Sequence, residues 1–125
     1  MKLLLFLTLF ITLTGSCQTD SGRSVQGKMY AEEELAAALL GKGHNLVDDK
    51  AILIKDSVTA VAIVEPVLFN IYQKENILGQ RPYEVYHLDH YWVVSGTMPK
   101  ESLGGTFLVI IDDRNGKLLR ITHGK

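Results

Sequence analysis

The sequence predicts an α+β domain in which an antiparallel sheet of about four strands carries two helices on one face. Three observations point there. Apolar residues recur at helical spacing between Asp56 and Tyr72, the period changes to that of strands after Pro82, and Asn115-Gly116 separates the last two apolar runs as a hairpin turn does.

The chain opens on Met1-Lys2, with one positive charge, and runs on from Leu3 to Leu13 in mostly apolar residues. That run is shorter than the roughly 20 residues needed to span a bilayer core. A basic start, a short apolar stretch and small residues at its end mark a secretory signal peptide, here residues 1–16. Gly15-Ser16 directly before Cys17 suits the bacterial lipoprotein route, in which the thiol is acylated and the cysteine becomes the new N-terminus. Thr14 stands where such signals usually carry Leu, and the plainer alternative is a secreted protein with an incidental cysteine. Residues 17–29 then read as the lipidated Cys17 and a polar, Gly/Ser-rich flexible tether, and residues 30–125 as a single domain.

Tyr30 to Leu40 carries Glu32, Glu33 and Glu34 near its start, then Leu35, Ala36, Ala38, Leu39 and Leu40. Early acid and strong helix formers predict a short helix, stopped by Gly41 and Gly43. His44 to Lys50 is a polar connection, and Ala51 to Ile54 is either a brief strand or the lead-in to the next helix. Asp56 caps that second helix, which runs to about Tyr72. Ala60, Val61, Val64, Leu68, Ile71 and Tyr72 form its main face. Val58, Ala62, Ile63 and Phe69 widen the apolar surface, so more than one element is expected to cover it. Pro66 removes the donor to the carbonyl of Ala62 and predicts a kink.

Tyr83 to His87 and Tyr91 to Ser95 are rich in aromatic and β-branched residues, with a turn near Leu88-Asp89-His90. Gly96 to Gly105 is a loop. Thr106 to Asp112 and Lys117 to Thr122 are the third and fourth strands. In Phe107 to Ile111 both alternating sets are apolar, so both faces of that strand want cover. Helices cover one. The other lines an internal cavity, meets another subunit, or meets a partner.

Composition narrows the function. Removing residues 1–16 leaves 109 residues, enough for one core, with 12 basic against 14 acidic side chains. No Lys/Arg cluster offers a nucleic-acid surface, and charge alone cannot hold the chain on a membrane. Cys17 is the only cysteine, so no intramolecular disulfide forms, and acylation removes a thiol exposed to an oxidising compartment.

From about Ile52 onward a set of blocks keeps a particular order and spacing. It comprises Ile71-Tyr72, then Arg81-Pro82-Tyr83-Glu84-Val85, then Tyr91-Trp92-Val93-Val94-Ser95-Gly96-Thr97-Met98-Pro99. Gly104-Gly105-Thr106-Phe107, Ile111-Asp112, Asn115-Gly116-Lys117 and Ile121-Thr122-His123-Gly124-Lys125 complete it. In these blocks the chain resembles the immunity-protein family that carries the nuclear transport factor 2 (NTF2-like) fold, over about three-fifths of its length. The resemblance implies a cone-like domain, a curved sheet wrapped around helices with a concave face. It gives Pro82, Trp92, Gly96, Gly104, Gly105, Gly116 and Gly124 structural roles. It also implies a non-enzymatic role: binding and blocking a bacterial toxin.

Candidate chemistry is sparse. Glu84, Tyr86, His87, Asp89 and His90 are the densest titratable group, and a general base in an isomerase or dehydratase cavity is one use for them. Strand alternation puts His87 with Tyr83 and Val85 on one face and Glu84 with Tyr86 on the other, so the acid and the imidazole do not meet. His87 and His90 lack third and fourth metal ligands. Asp113 to Gly116 lacks the acidic series and the closing glutamate of a calcium loop. Ser95-Gly96-Thr97 has no nucleophile elbow, and Gly104-Gly105 reads as a close backbone approach rather than an anion cradle. No catalytic residue, metal or cofactor is assigned. If a partner binds, Arg81, Tyr83, Tyr86, His87 and Tyr91 are the expected contact set, since Tyr and Arg are frequent binding hot spots.

The leading reading is therefore a toxin-neutralising protein on a lipid tether in the cell envelope, at the outer membrane or in the periplasm. Its rivals are a small-molecule-binding or isomerase-like domain using the cavity of the same fold, and a structural envelope lipoprotein forming a homodimer through the second sheet face.

Overall fold

The computed structural model describes residues 22–125, so the signal peptide, Cys17 and the first part of the tether lie outside the described residues. The chain divides into two compact units, one ending at Gly43 and one spanning His44–Lys125. Among the described residues no helix is long and apolar enough to cross a membrane.

In the first unit, α1 (Gly27–Leu39) starts three residues before Tyr30. Its first turn is Gly27-Lys28-Met29-Tyr30, without an acid, and the three glutamates fall in the second turn. Lys28 pairs with Glu32 one turn on, an i,i+4 contact that favours the earlier start. The stop is as expected. Gly41 takes φ 66°, and the amides of Gly41 and Lys42 reach the carbonyls of Ala38 and Ala37 at 3.0 and 2.9 Å. None of the side chains of α1 is buried.

The second unit is α+β, with a four-stranded antiparallel sheet in the order β1-β2-β3-β4. Its strands are β1 (Glu84–Leu88), β2 (Tyr91–Ser95), β3 (Phe107–Asp112) and β4 (Leu118–His123), each within a residue or so of expectation. Helix α2 (Ser57–Ile71) is capped by Asp56, whose carboxylate accepts the Thr59 amide at 2.7 Å. It runs unbroken across Pro66. Ala60, Val64 and Leu68 are buried, and Val61, Phe69 and Tyr72 pack against the core. Ile71 does not join that face, being 52% exposed, and Val58, Ala62 and Ile63 are exposed as well, so the wider apolar surface of α2 is left open.

A short third helix, α3 (Lys74–Leu78), was not expected and brings Ile77 into the core. Tyr72 and Gln73 both take extended backbone conformations between α2 and α3, so the chain leaves one helix for the next without a left-handed residue. Ala51 to Ile54 forms no strand. It is the lead-in to α2, and its Leu53 and Ile54 amides donate to the carbonyl of Asp113 at 2.8 and 2.9 Å.

Register fixes the two faces of the sheet. Val85, Val94, Val109 and Ile121 pair across the four strands, as do His87, Trp92, Ile111 and Leu118. With Phe107 they form the face that meets α2 and α3 in one core. The other face carries Tyr86, Val93, Ile110 and Arg120 in one row, and Leu88 and Tyr91 in the next. Between Ile110 and Ile111 the β3–β4 register shifts by a bulge that sets Leu119 outside the pairing, 48% exposed.

One buried polar side chain ties the loops to the sheet. Gln80 is 5% exposed, and its Oε1 accepts the Phe107 amide at 2.9 Å. Its Nε2 donates to Asn76 Oδ1 at 3.2 Å and lies 3.0 Å from His123 Nε2. His123 Nδ1 donates to the Gly124 carbonyl at 2.7 Å, which leaves Nε2 free to accept from Gln80. The Thr97 amide donates to the Gln80 carbonyl at 2.8 Å, and the Thr97 hydroxyl to the Pro82 carbonyl at 2.6 Å. Gly96 is buried against this glutamine. The expected close approach at Gly104-Gly105 is present, with Gly105 lying against the backbone of Gly124.

Candidate partner-binding site

The five residues expected to meet a partner separate into three places along and beside the first hairpin. Arg81 and Tyr83 converge on Glu65 of α2. Arg81 donates from Nε at 3.1 Å and from Nη2 at 2.6 Å, a forked contact, and the Tyr83 hydroxyl donates to the same carboxylate at 2.6 Å. Burial pushes the Glu65 carboxyl up, but the bonds from Arg81 and Tyr83 outweigh it and hold the group below the ordinary value. Burial, then the Glu65 carboxylate, push the Tyr83 hydroxyl up to about 12. The Tyr83 ring meets Phe107 edge-on with centroids 5.0 Å apart. Tyr83 is therefore half-buried and committed to the fold, whereas the Arg81 side chain is 56% exposed and held in place.

His87 belongs to a second cluster on the helix-bearing face. Its ring stacks on Trp92 at 4.2 Å and 19°, and its Nε2 lies 2.7 Å from Asp113 Oδ2. A carboxylate only accepts, so that nitrogen carries the proton. Asp113 has no exposed surface, and its other oxygen lies 3.3 Å from His90 Nδ1 without hydrogen-bond geometry. Backbone bonds fix the cluster. The Asp113 amide donates to the His90 carbonyl at 2.8 Å, and the Trp92 indole donates to the Ile54 carbonyl at 2.9 Å. Among the described residues no group of three or more His, Cys, Asp or Glu is arranged to hold a metal ion.

Tyr86 and Tyr91 lie on the opposite face of the sheet. Tyr86 is 54% exposed. Tyr91 lies under Arg114, whose guanidinium carbon is 6.0 Å from the ring centroid and which also grips Asp112 at 2.8 and 3.0 Å. The Arg114 contact holds the Asp112 carboxyl down to about 2. Glu84 shares this face with Tyr86, so it stands apart from His87 as alternation requires.

Sequence reasoning missed Glu65, Gln80 and Asp113. Each is joined to its partner across many residues, and only sheet register and helix docking bring them together. The one local hint was the repeated acid Asp112-Asp113 ahead of a tight turn.

Comparison with known proteins places this arrangement. Residues 59–125, which hold nearly all of α2 and the whole sheet, match the family described as NTF2 fold immunity protein. Uncharacterized protein YhhH of Escherichia coli (strain K12) is 32% identical over 74 residues, 58% of this chain and 58% of that protein. Uncharacterized protein YbbC of the same organism is 30% identical over 73 residues, 58% of this chain and 60% of that one. The match thus spans less than two thirds of the length of either relative. No solved structure gives a significant match. With over half its length accounted for in this way, the chain belongs to the family of NTF2-fold immunity proteins.

Proposed function

We propose that this protein neutralises a bacterial toxin by binding it, without catalysis or a cofactor, while a lipid on Cys17 holds it in the cell envelope. The observation that carries the reading is the family match across α2 and all four strands. The lipid tether and the location in the outer membrane or periplasm rest on the apolar start and on Gly15-Ser16-Cys17. Arg81 and His87 suit partner binding because both are partly exposed yet held by fixed neighbours, Glu65 for one and Trp92 with Asp113 for the other. Such preorganised side chains lose little freedom on binding.

The test is capture of the full chain, tagged at its C-terminus, from the native bacterium. A stoichiometric toxin partner, with growth rescued when the two are expressed together, is expected. Recovery of the chain alone while neighbouring toxin genes are expressed overturns the reading. Cys17→Ser is expected to move the chain from the membrane fraction to the soluble one.

A further inference from the structure

The sheet face away from α2 and α3 is apolar from Tyr86 across Val93 to Ile110 and ends at the mutually paired Asp112 and Arg114 beside Tyr91. Among the described residues it carries unpaired charge at its two edges. Tyr86 and Leu88 are 54% and 60% exposed, and Tyr91, Val93, Leu108 and Ile110 are partly exposed between them and β4. At one margin β1 carries Glu84, and at the other β4 carries Arg120, both exposed. Among the described residues neither is in an ion pair, and Glu84 accepts only a long bond from the Tyr86 hydroxyl at 3.4 Å. Register places Glu84 level with Thr122, and Arg120 level with Tyr86. The acid and the base therefore sit one side-chain row apart, about 7 Å along the strands, on opposite edges of one apolar band.

That layout is its own complement. A two-fold axis parallel to the strands, between two stacked faces, lays β1 of one copy over β4 of the other. Each Glu84 then approaches an Arg120 of the second copy, twice per pair, across the ~10 Å that separates stacked sheets. An axis across the strands would stack β1 on β1 and set like charges at each margin. We infer that this face is an interface between two copies of the chain, with the apolar band at its centre and two Glu84–Arg120 pairs at its margins. The contact takes in Tyr86 and Tyr91 of the expected partner set and leaves Arg81 and His87, on which the toxin reading rests, outside it.

The full chain, expressed in one cell with two different tags and captured on one of them, tests this. Wild-type copies are expected to bring each other down. Glu84→Arg alone and Arg120→Glu alone place like charges at both margins and are expected to weaken co-capture by about tenfold. Co-expression of the Glu84→Arg chain with the Arg120→Glu chain restores opposite charges at both margins and is expected to restore co-capture. Thermal melts of each variant show that the fold is intact, as exposed positions allow. Wild-type chains that fail to associate, single reversals that leave association unchanged, or a mixture that does not recover would each overturn the inference. So would wild-type chain that stays single and binds a toxin through this face, seen as loss of that toxin on Glu84→Arg.

Discussion

Gly96 and Gln80 fill one space between them: a Cβ on Gly96 would lie 2.2 Å from Gln80 Oε1, the atom that accepts the Phe107 amide. Gly96→Ala must therefore push the glutamine off β3 and leave a buried N–H unpaired. The expected loss is roughly 2–5 kcal/mol, combining overpacking with an orphaned donor. Denaturant melts measure it. In the Gln80→Ala background the same substitution is expected to cost much less, because the clash is gone.

Gly105→Ala is expected to be costlier than Gly116→Ala. The added carbon at Gly105 meets backbone atoms of Gly124 at 2.2 Å, and backbone cannot swing aside as a side chain does. At Gly116 the added carbon meets open space, and the cost is that of φ 73°, about 1 kcal/mol. Equal melting temperatures for the two variants would contradict the packing described here.

Removing the half-exposed His87 strands the fully buried Asp113. His87→Ala is expected to cost roughly 3 kcal/mol, since Asp113 then keeps a buried carboxylate without its donor. Adding Asp113→Ala is expected to cost less than it does alone, and a cycle of four melts reads this coupling.

Acid resistance depends in part on Asp112. Its carboxyl stays ionised down to about 2 when folded and takes up a proton nearer 3.8 when unfolded. Its contribution is thus fully present above about 3.8 and is lost as pH falls through about 2. Arg114→Gln removes the main cause. The variant is expected to be less stable than wild type at pH 6 and to converge with it near pH 2, as melts across that range will show.

Tyr83 offers an optical readout of the Glu65 contact. Its hydroxyl ionises near 12, through burial first and the neighbouring carboxylate second. Glu65→Gln removes the charge and leaves the burial, so the tyrosinate absorbance of this residue is expected to rise at a pH lower than in wild type but still above 10. An unchanged titration curve would show that Glu65 does not act on it.

Much of the fold was legible because its signals are local. Asp56 announces α2, Asn115-Gly116 announces the last hairpin, and aromatic and β-branched residues mark β1 and β2. Helix α3 was not legible, since five residues, Lys74–Leu78, are too few to show a period. The start of α1 was misplaced because Glu32 to Glu34 look like a first turn, while Gly27 and Lys28 look like linker. The five-residue contact set was chosen by residue type. Type says nothing of burial, and Tyr83 turned out to be half inside, bonded to a helix eighteen positions earlier. The bonds of Glu65 to Arg81 and Tyr83, of Gln80 to Phe107 and of Asp113 to His87 reach across 16 to 27 positions, and no short window of sequence contains both ends.

The bulge between β3 and β4 has a consequence for crowding. Copies held on one surface, as the proposed tether would hold them, meet each other far more often than free ones, and a flat outer strand would invite them to join edge to edge. β4 is not flat, because Leu119 is set out of register and the strand twists there. Straightening it by deleting Leu119 would turn a guarded border into a growing end.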